Sequence, residues 1–182
     1  SSCESSGWSD SVIHCDIKLC VGCRMCEVAC SAGHFGAVSP ALARIRVAKL
    51  DETGIDLAIA CFSCVEKPCI ECPTEALSVG SHGEVLLDAD FCDACGLCAE
   101  ACPVGAVGFY DDKPLFCDLC DGSPSCVEVC PSGALSHKEG QEVSLAAFLE
   151  SEGSPGQKRA HFAAVQAQPL RQGWQAGRRV DS

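Results

Sequence analysis

Cysteine is the residue type that equips this chain for chemistry. Eighteen of the 182 residues are cysteines, and sixteen of them fall into four groups of four. The first and third groups share the spacing CxxCxxCxxxC, whereas the second and fourth have a longer gap before their third cysteine. Clustered cysteines at these spacings are typical of metal ligands. The groups are Cys20, Cys23, Cys26 and Cys30; Cys61, Cys64, Cys69 and Cys72; Cys92, Cys95, Cys98 and Cys102; and Cys117, Cys120, Cys126 and Cys130.

The spacing favours [4Fe-4S] clusters over two structural alternatives, a zinc ribbon and a disulfide scaffold. Zinc sites need only two separated CxxC pairs, whereas CxxCxxC lets one loop wrap three corners of a cubane. In bacterial ferredoxin runs the fourth cysteine, followed by proline, binds the other cluster of a pair. Pro73, Pro103 and Pro131 follow fourth cysteines, while Ser31 follows Cys30.

Residues 12 to about 137 resemble the four-cluster ferredoxin-like electron-transfer subunits of molybdenum and tungsten oxidoreductases. The resemblance implies an α+β fold of duplicated bacterial ferredoxin-like (βαβ) units around [4Fe-4S] clusters, with an inserted hairpin and a C-terminal tail. It also implies that the first group shares ligands with the fourth, and the second with the third. The implied ligand sets, each named by its first cysteine, are the Cys20 site (Cys20, Cys23, Cys26, Cys130), the Cys117 site (Cys117, Cys120, Cys126, Cys30), the Cys61 site (Cys61, Cys64, Cys69, Cys102) and the Cys92 site (Cys92, Cys95, Cys98, Cys72).

One group departs from this pattern. Cys69 and Cys72 are separated by two residues, where the other groups have three. On a helix this rotates the fourth cysteine by about 100°, so the local backbone must adjust or Cys72 misses its cluster. The Cys92 site is therefore the one we expect to be altered or empty if any is. We expect four clusters, with three as the alternative.

The chain divides into segments of different character. Residues 1–11 are rich in serine and predict a mobile arm. We expect two interleaved dicluster units, interrupted by a linker that contains a half-exposed hairpin, residues 44–50 with 55–60. A strand at 12–16 precedes the first group, and a strand–turn–strand segment follows each later one. The predicted boundaries are 12–140 for the polyferredoxin domain (12–30 with 114–140, and 58–113), 31–57 for the linker and 141–182 for a partner-docking tail.

The tail has the opposite charge to the rest of the chain. Residues 154–182 carry a net charge of +4 and residues 1–153 a net charge of −16. This asymmetry indicates an interaction segment. The pattern predicts a helix over Lys158–Gln168 that Pro169 ends. The alternative to partner docking is a tail that is solvated or packs on its own chain.

Composition excludes several classes of function. The net charge of −12 argues against nucleic acid as a partner, and no stretch approaches the roughly 18 apolar residues of a membrane span. We expect a cytoplasmic protein with no catalytic site of its own. The five histidines fit no metal motif, and Cys3 and Cys15 lack ligand spacing. We expect Cys15 to fill a small buried apolar role and Cys3 to be an exposed thiol.

These observations predict an iron–sulfur subunit that relays single electrons through its clusters. Residues 34–47, HFGAVSPALARIRV, resemble the linker of ferredoxin subunits that accompany tungsten enzymes of the aldehyde ferredoxin oxidoreductase family, including tungsten benzoyl-CoA reductases of anaerobic bacteria. That resemblance implies a large tungsten-pterin catalytic subunit as partner, with a further electron-carrier subunit or ferredoxin. The alternatives are the electron-transfer subunit of a molybdenum enzyme, of the formate dehydrogenase or sulfur-compound reductase type, or a free polyferredoxin.

Overall fold

A computed structural model describes residues 11–139 and 143–177 of the protein. The arm predicted for residues 1–11 lies outside the described residues, apart from Ser11. Within them the helices are α1 (Met25–Phe35), α2 (Leu97–Ala101), α3 (Ser125–Glu128) and α4 (Pro155–Gly177). The strands are β1 (Ser11–Cys15), β2 (Arg46–Leu50), β3 (Ile55–Ile59), β4 (Leu77–Val79), β5 (Val85–Leu87), β6 (Gly108–Tyr110), β7 (Lys113–Leu115) and β8 (Leu135–Glu139).

The described strands form four separate antiparallel pairs. The predicted hairpins β2–β3, β4–β5 and β6–β7 are confirmed. In β2–β3 the opposite charges of Lys49 and Asp56 face each other across the register, with 3.9 Å between Nζ and Oδ1. The β6–β7 turn holds Asp111 and Asp112 at φ of 49° and 57°, as the tight two-residue turn requires. The fold is thus a mixture of helices and small sheets, and the duplicated βαβ arrangement stays a prediction.

The strand after the fourth cysteine group differs from the expectation. The sequence predicts that residues 131–143 form a hairpin, but in the structure β8 pairs with β1 over its whole length. The turn predicted to follow β8 falls on residues 140–142, outside the described part of the chain. Because β1 leads into the first cysteine group and β8 follows the fourth, this pairing brings the two groups together.

Proline decides how far the helices that carry cysteines extend. The residue before a proline is disfavoured in the α conformation, and α2 accordingly ends at Ala101, just before Cys102 and Pro103. Helix α1 meets no proline after Cys30 and continues to Phe35, where Gly36 ends it at φ 65°. Cys30 therefore lies inside a helix.

Helix α4 packs against the β2–β3 hairpin. Its inward face buries Phe162, Ala163 and Ala167, and the ring of Phe162 packs at a tilt against that of Phe62, with centroids 5.4 Å apart. The expectation that Pro169 ends this helix is wrong, because α4 continues through it to Gly177. A proline removes only one backbone donor, and the residues around 169 are largely solvent-exposed, so this break is tolerated.

Two cationic side chains hold the start of α4 on α2 and on the loop that follows it. Lys158 is buried and donates through Nζ to the carbonyl oxygen of Glu100 at 2.5 Å. Arg159 donates through Nη1 to the carbonyl oxygen of Gly105 at 2.6 Å. Both acceptors lie close in sequence to Cys102, so part of the basic tail packs on its own chain.

The buried core has two parts, and cysteines belong to both. One part contains Cys26, Cys30 and Cys126, and the other contains Cys69 and Cys102. Among the described residues, no helix combines the length and the apolar composition that crossing a bilayer requires.

Candidate metal centres

Three of the four implied ligand sets each surround one cavity. The cysteines of the Cys20 site line one cavity together with Arg24 and Leu135. Those of the Cys117 site line a second, with His34 and Arg44. Those of the Cys92 site line a third, with Leu97 and Phe109. In each case four sulfur atoms from two separate stretches of sequence face a common space, which is the donor set that a cubane cluster takes.

The fourth set, the Cys61 site, is recognised because its cysteines affect one another's pKa values electrostatically. Burial raises the pKa of Cys61 to about 12, and the charge of Cys102 adds to the rise. Burial also raises the pKa of Cys64 and Cys69, again with a contribution from Cys102. Cys102 follows α2, and α2 contacts the turn that carries Cys69, so these cysteines converge as the implied pairing requires.

The unusual spacing of Cys69 and Cys72 is accommodated by the backbone. Pro68–Ile70 forms one turn of 3₁₀ helix, after which Glu71 leaves helical geometry at φ −67° and ψ 59°. The N–H of Cys72 then bonds to the carbonyl oxygen of Ile70 at 2.6 Å. This tight turn carries Cys72 to the cavity of the Cys92 site, so the short spacing does not separate it from its three partners.

A recurrent turn follows the three fourth cysteines that precede proline. The third residue after each of these cysteines has a positive φ, 56° at Glu75, 62° at Gly105 and 64° at Gly133. This conformation turns the next N–H back towards the sulfur, and the N–H of Ala106 lies 3.2 Å from Cys102 Sγ. Hydrogen bonds to cluster sulfur raise the reduction potential, so the turn is suited to a ligand.

The equivalent donors act on the other two cysteines of this type. The Thr74 hydroxyl, 3.3 Å from Cys72 Sγ, and the N–H of Ala76 hold the pKa of Cys72 below its usual value. Burial opposes the shift at Cys130, yet the N–H of Leu135 and the Ser132 hydroxyl lower the pKa of that thiol. Both sulfurs are thus surrounded by groups that favour the thiolate, the form that binds iron.

Three other cysteines have thiols that metal binding must deprotonate. Burial raises the pKa of Cys26 and Cys126 to about 12 and that of Cys98 to about 11. Without a metal these thiols are protonated at neutral pH. Loading of a cluster therefore releases protons, and the sites favour a strongly bound polycation that offsets the cost of burying thiolates.

The four sites follow one another in a row. The charges of Cys26 and Cys126 interact, which makes the Cys20 and Cys117 sites neighbours. Cys117 in turn interacts with Cys61. The Cys61 and Cys92 sites adjoin because α2 carries Cys98 of one and leads directly into Cys102 of the other. The row is Cys20 site, Cys117 site, Cys61 site, Cys92 site.

The two ends of this row reach the protein surface. Cys23 in the Cys20 site and Cys95 in the Cys92 site are exposed, whereas Cys69 and Cys126 in the inner sites are buried. Exposed apolar side chains adjoin both ends: Leu19, Val21 and Met25 near Cys23, and Phe91 and Leu97 near Cys95. An electron entering one end and leaving at the other would pass through two shielded centres.

Cys15 lies closer to a site than its spacing in the sequence suggests. A hydrogen bond with Cys15 lowers the pKa of Cys20 to about 6, while the same bond and burial raise the pKa of Cys15. Cys15 is half-buried, and the predicted small buried apolar role omits its contact with Cys20, a proposed cluster ligand. Cys3 falls outside the described residues.

Sequence reasoning missed three charged or polar residues at the Cys117 site. His34, Arg44 and Asp118 line its cavity, and they bond to one another. The local signals are weak: His34 stands four residues after Cys30 on α1, and Asp118 lies inside the CxxC pair formed by Cys117 and Cys120. Nothing local marks Arg44, which comes from the linker.

A family model described as a 4Fe-4S binding domain matches residues 85–107, which contain Cys92, Cys95, Cys98 and Cys102. This chain binds [4Fe-4S] clusters. The matched segment covers one complete cysteine group, together with β5 and α2, and the number of clusters in the chain stays a prediction.

Several proteins of known name are similar to this chain. The polyferredoxin-like subunit of aliphatic sulfonate oxidoreductase from Pyrococcus furiosus is 45% identical over 86 residues, which are 46% of this chain and 49% of that protein. The iron–sulfur subunit of formate dehydrogenase from Wolinella succinogenes is 39% identical over 101 residues, 53% of this chain and 50% of that protein. The chain spans about half the length of these curated relatives.

Among solved structures, a chain of the active-site complex BamBC of benzoyl-coenzyme A reductase with zinc is 34% identical. The match covers 75% of this chain and 82% of that one, with a TM-score of 0.46. The curated relatives are named as polyferredoxin-like, iron–sulfur or electron-transport proteins. This chain therefore resembles the electron-transfer subunits of oxidoreductases and not their catalytic subunits.

Proposed function

We propose that this chain is the electron-transfer subunit of an oxidoreductase and relays single electrons through four [4Fe-4S] clusters. The observation that carries the proposal is the row of four cysteine sites, buried in its middle and exposed at Cys23 and Cys95. The clusters supply the redox chemistry, while the protein supplies thiolates, hydrogen bonds to sulfur and exclusion of water.

The proposed ligands are the sixteen cysteines in the four sets named above. The cavities of the Cys20, Cys117 and Cys92 sites support three of these sets, and the mutual electrostatic effects around Cys102 support the fourth. The interleaved dicluster units, with the linker at 31–57 and the tail at 141–182, belong to the same proposal. Its test is iron and sulfide analysis of anaerobically isolated protein, with about 16 Fe per chain expected for four cubanes.

A redox titration followed by electron paramagnetic resonance then tests the relay. Full reduction is expected to take up four electrons per chain and to give spectra broadened by magnetic interaction between neighbouring clusters. A loaded chain with isolated, non-interacting signals would contradict a continuous row. A chain with no [4Fe-4S] signal would refute the function outright.

For the partner, we propose a large tungsten-pterin subunit in the cytoplasm of an anaerobe. This part rests on the resemblance of residues 34–47 to the linker of ferredoxin subunits that accompany tungsten enzymes. The candidate that competes with it is a molybdenum enzyme of the formate dehydrogenase type, favoured by the similarity to the Wolinella succinogenes iron–sulfur subunit.

Anaerobic isolation of the native complex, with mass spectrometry and quantification of Fe, W and Mo, separates these partners. Tungsten with a large co-purifying chain supports the first proposal, and molybdenum supports the second. A protein that elutes alone, at the 19.0 kDa of this chain, would make it a free polyferredoxin.

A further inference from the structure

Cys30 differs from the other three fourth cysteines in what surrounds its sulfur. Cys72, Cys102 and Cys130 each precede a proline and a turn with positive φ that brings a nearby N–H to the sulfur. Cys30 precedes Ser31 and lies inside α1, which continues to Phe35. In a continuous helix the following N–H groups are committed to backbone carbonyls. The local backbone donor that serves the other three cysteines is therefore lacking at Cys30, where the local side-chain nitrogen, His34 Nδ1, is 3.9 Å from the sulfur.

The linker supplies the donor instead. The backbone N–H of Arg44, fourteen residues further on, points at Cys30 Sγ with 3.3 Å between nitrogen and sulfur. This distance matches the 3.2 Å between Ala106 N and Cys102 Sγ. A donor so distant in sequence must be fixed in place by other contacts.

Asp118 is the anchor of this arrangement. Arg44 donates through Nη1 to Asp118 Oδ2 at 2.5 Å. The other carboxylate oxygen accepts the N–H of Cys120 at 3.0 Å. Asp118 thereby ties the linker to the loop that carries Cys117 and Cys120.

His34 closes the network on the α1 side. Its Nε2 is 3.0 Å from Asp118 Oδ1, and its Nδ1 is 2.8 Å from the carbonyl oxygen of Cys30. All four cysteines of the Cys117 site are thus held near one ionic cluster: Cys117 and Cys120 through Asp118, Cys30 through His34 and Arg44, and Cys126 through the shared cavity.

Arg44 also has a donor with no acceptor in the described part of the chain. Its Nε is buried and has no hydrogen-bond partner among the described residues, and leaving a buried charged donor without an acceptor is destabilising. The side chain lines the cavity shared by the four cysteines. Thiolate and sulfide sulfurs of a bound cluster are the acceptors that this donor fits.

We propose that Arg44, anchored by Asp118, is the positioning residue of the Cys117 site and raises the reduction potential of the cluster bound there. The inference rests on the proposed [4Fe-4S] ligand set. Reduction adds negative charge to the cluster, so the guanidinium charge and the N–H that it holds on Cys30 stabilise the reduced form most. The linker thereby performs for Cys30 the task that the proline turn performs for the other fourth cysteines.

The test compares full-length variants, isolated anaerobically, by iron content and by redox titration with paramagnetic resonance detection. Arg44→Met is expected to lower one midpoint potential and leave the others in place, and Arg44→Lys to restore part of the loss. Arg171→Met, which removes an equal charge from an exposed position of α4, is the matched control and is expected to shift none. If Arg44→Met fails to bind one cluster, Arg44→Lys serves as the test instead, because it keeps the positive charge. The midpoint potential of that cluster in Arg44→Lys is then expected to lie below the wild-type value.

A second measurement separates the positioning of the Arg44 N–H from the effect of the guanidinium charge alone. Asp118→Ala is expected to speed hydrogen exchange of the Arg44 amide at least tenfold, because the N–H is no longer held on Cys30 Sγ; a pure field effect leaves exchange unchanged. The inference would be overturned if the cluster-loaded Arg44 variants kept the wild-type potentials or shifted all clusters equally. It would also be overturned if hydrogen exchange of the Arg44 amide were unaltered in Asp118→Ala. A wild-type chain without [4Fe-4S] clusters would instead refute the proposed function.

Discussion

Two glycines in equivalent turns offer a matched test of how helix α4 is held. Gly105 and Gly133 each stand three residues after a fourth cysteine, with φ of 62° and 64°. A Cβ added at Gly133 would meet nothing within 4 Å, whereas at Gly105 it would lie 2.0 Å from the carbonyl oxygen of Pro155, the first residue of α4. Alanine at either position costs about 1–2 kcal/mol for the left-handed backbone. Only at Gly105 must α4 also move.

The additional cost at Gly105 follows from what the first turns of α4 contribute. Displacing them strains the hydrogen bonds of Lys158 and Arg159 to the carbonyl oxygens of Glu100 in α2 and Gly105 in the following loop. A hydrogen bond to a charged group is worth about 1.5–3 kcal/mol. Phe162, 6% exposed, follows on the same helix, and its complete loss costs about 3–5 kcal/mol. Partial displacement therefore predicts that Gly105→Ala destabilises the docked helix by about 2–4 kcal/mol more than Gly133→Ala.

Hydrogen exchange of anaerobic holoprotein, read on peptides from residues 155–167, measures this difference without requiring reversible unfolding. A gap of about 2–4 kcal/mol corresponds to exchange roughly 30- to 900-fold faster in Gly105→Ala than in Gly133→Ala. Equal exchange in the two variants would show that the approach of Gly105 to Pro155 does not hold α4. A loss of protection in Gly133→Ala alone would refute the assignment of α4 to this surface.

Three further predictions concern the cysteine sites. Glu75→Gly relieves a positive φ of 56° at an exposed side chain, so cluster loss in chaotrope is expected to slow by about fivefold, the equivalent of about 1 kcal/mol; faster loss would contradict this. Thr74→Val removes the hydroxyl that lies 3.3 Å from Cys72 Sγ. This hydrogen bond is expected to favour the reduced cluster by about 0.5–1 kcal/mol, so its loss lowers one midpoint potential by about 20–40 mV. An unchanged potential with iron retained would contradict the prediction. Cluster reconstitution is expected to quicken from about pH 7 to pH 9, because protons compete with iron for thiols such as Cys26 and Cys126, whose pKa burial raises to about 12; a rate independent of pH would show that deprotonation does not limit loading.

The sequence was informative wherever a local pattern determines the structure. The hairpins β2–β3, β4–β5 and β6–β7 were predictable because short alternating strands flank turn residues such as Asp111 and Asp112. The four cysteine sets followed from spacing and resemblance together. In the structure, each of three sets lines a cavity of its own. In each case the information lies within a few residues or in a repeated motif.

What could not be predicted depends on contacts between distant parts of the chain. Arg44 and Asp118 are 74 residues apart in sequence, and no pattern marks either as a neighbour of Cys30. The pairing of β8 with β1 replaces the expected hairpin for the same reason. The prediction that Pro169 ends the tail helix was wrong because it considered only the local effect of a proline. The rest of α4 compensates for the single backbone hydrogen bond that Pro169 removes.

The division of the core shows how cysteines take part in the packing of this fold. Cys26, Cys30 and Cys126 belong to one buried part and Cys69 and Cys102 to the other, so two clusters would occupy the centre of each part. Metal binding and folding are then coupled, since the thiols around an unfilled site contribute little apolar packing. The two parts also correspond to the proposed sharing of ligands between the first and fourth groups and between the second and third. Loss of clusters from one half is therefore expected to loosen that half first, with β1 and β8 opening on one side and α2 on the other.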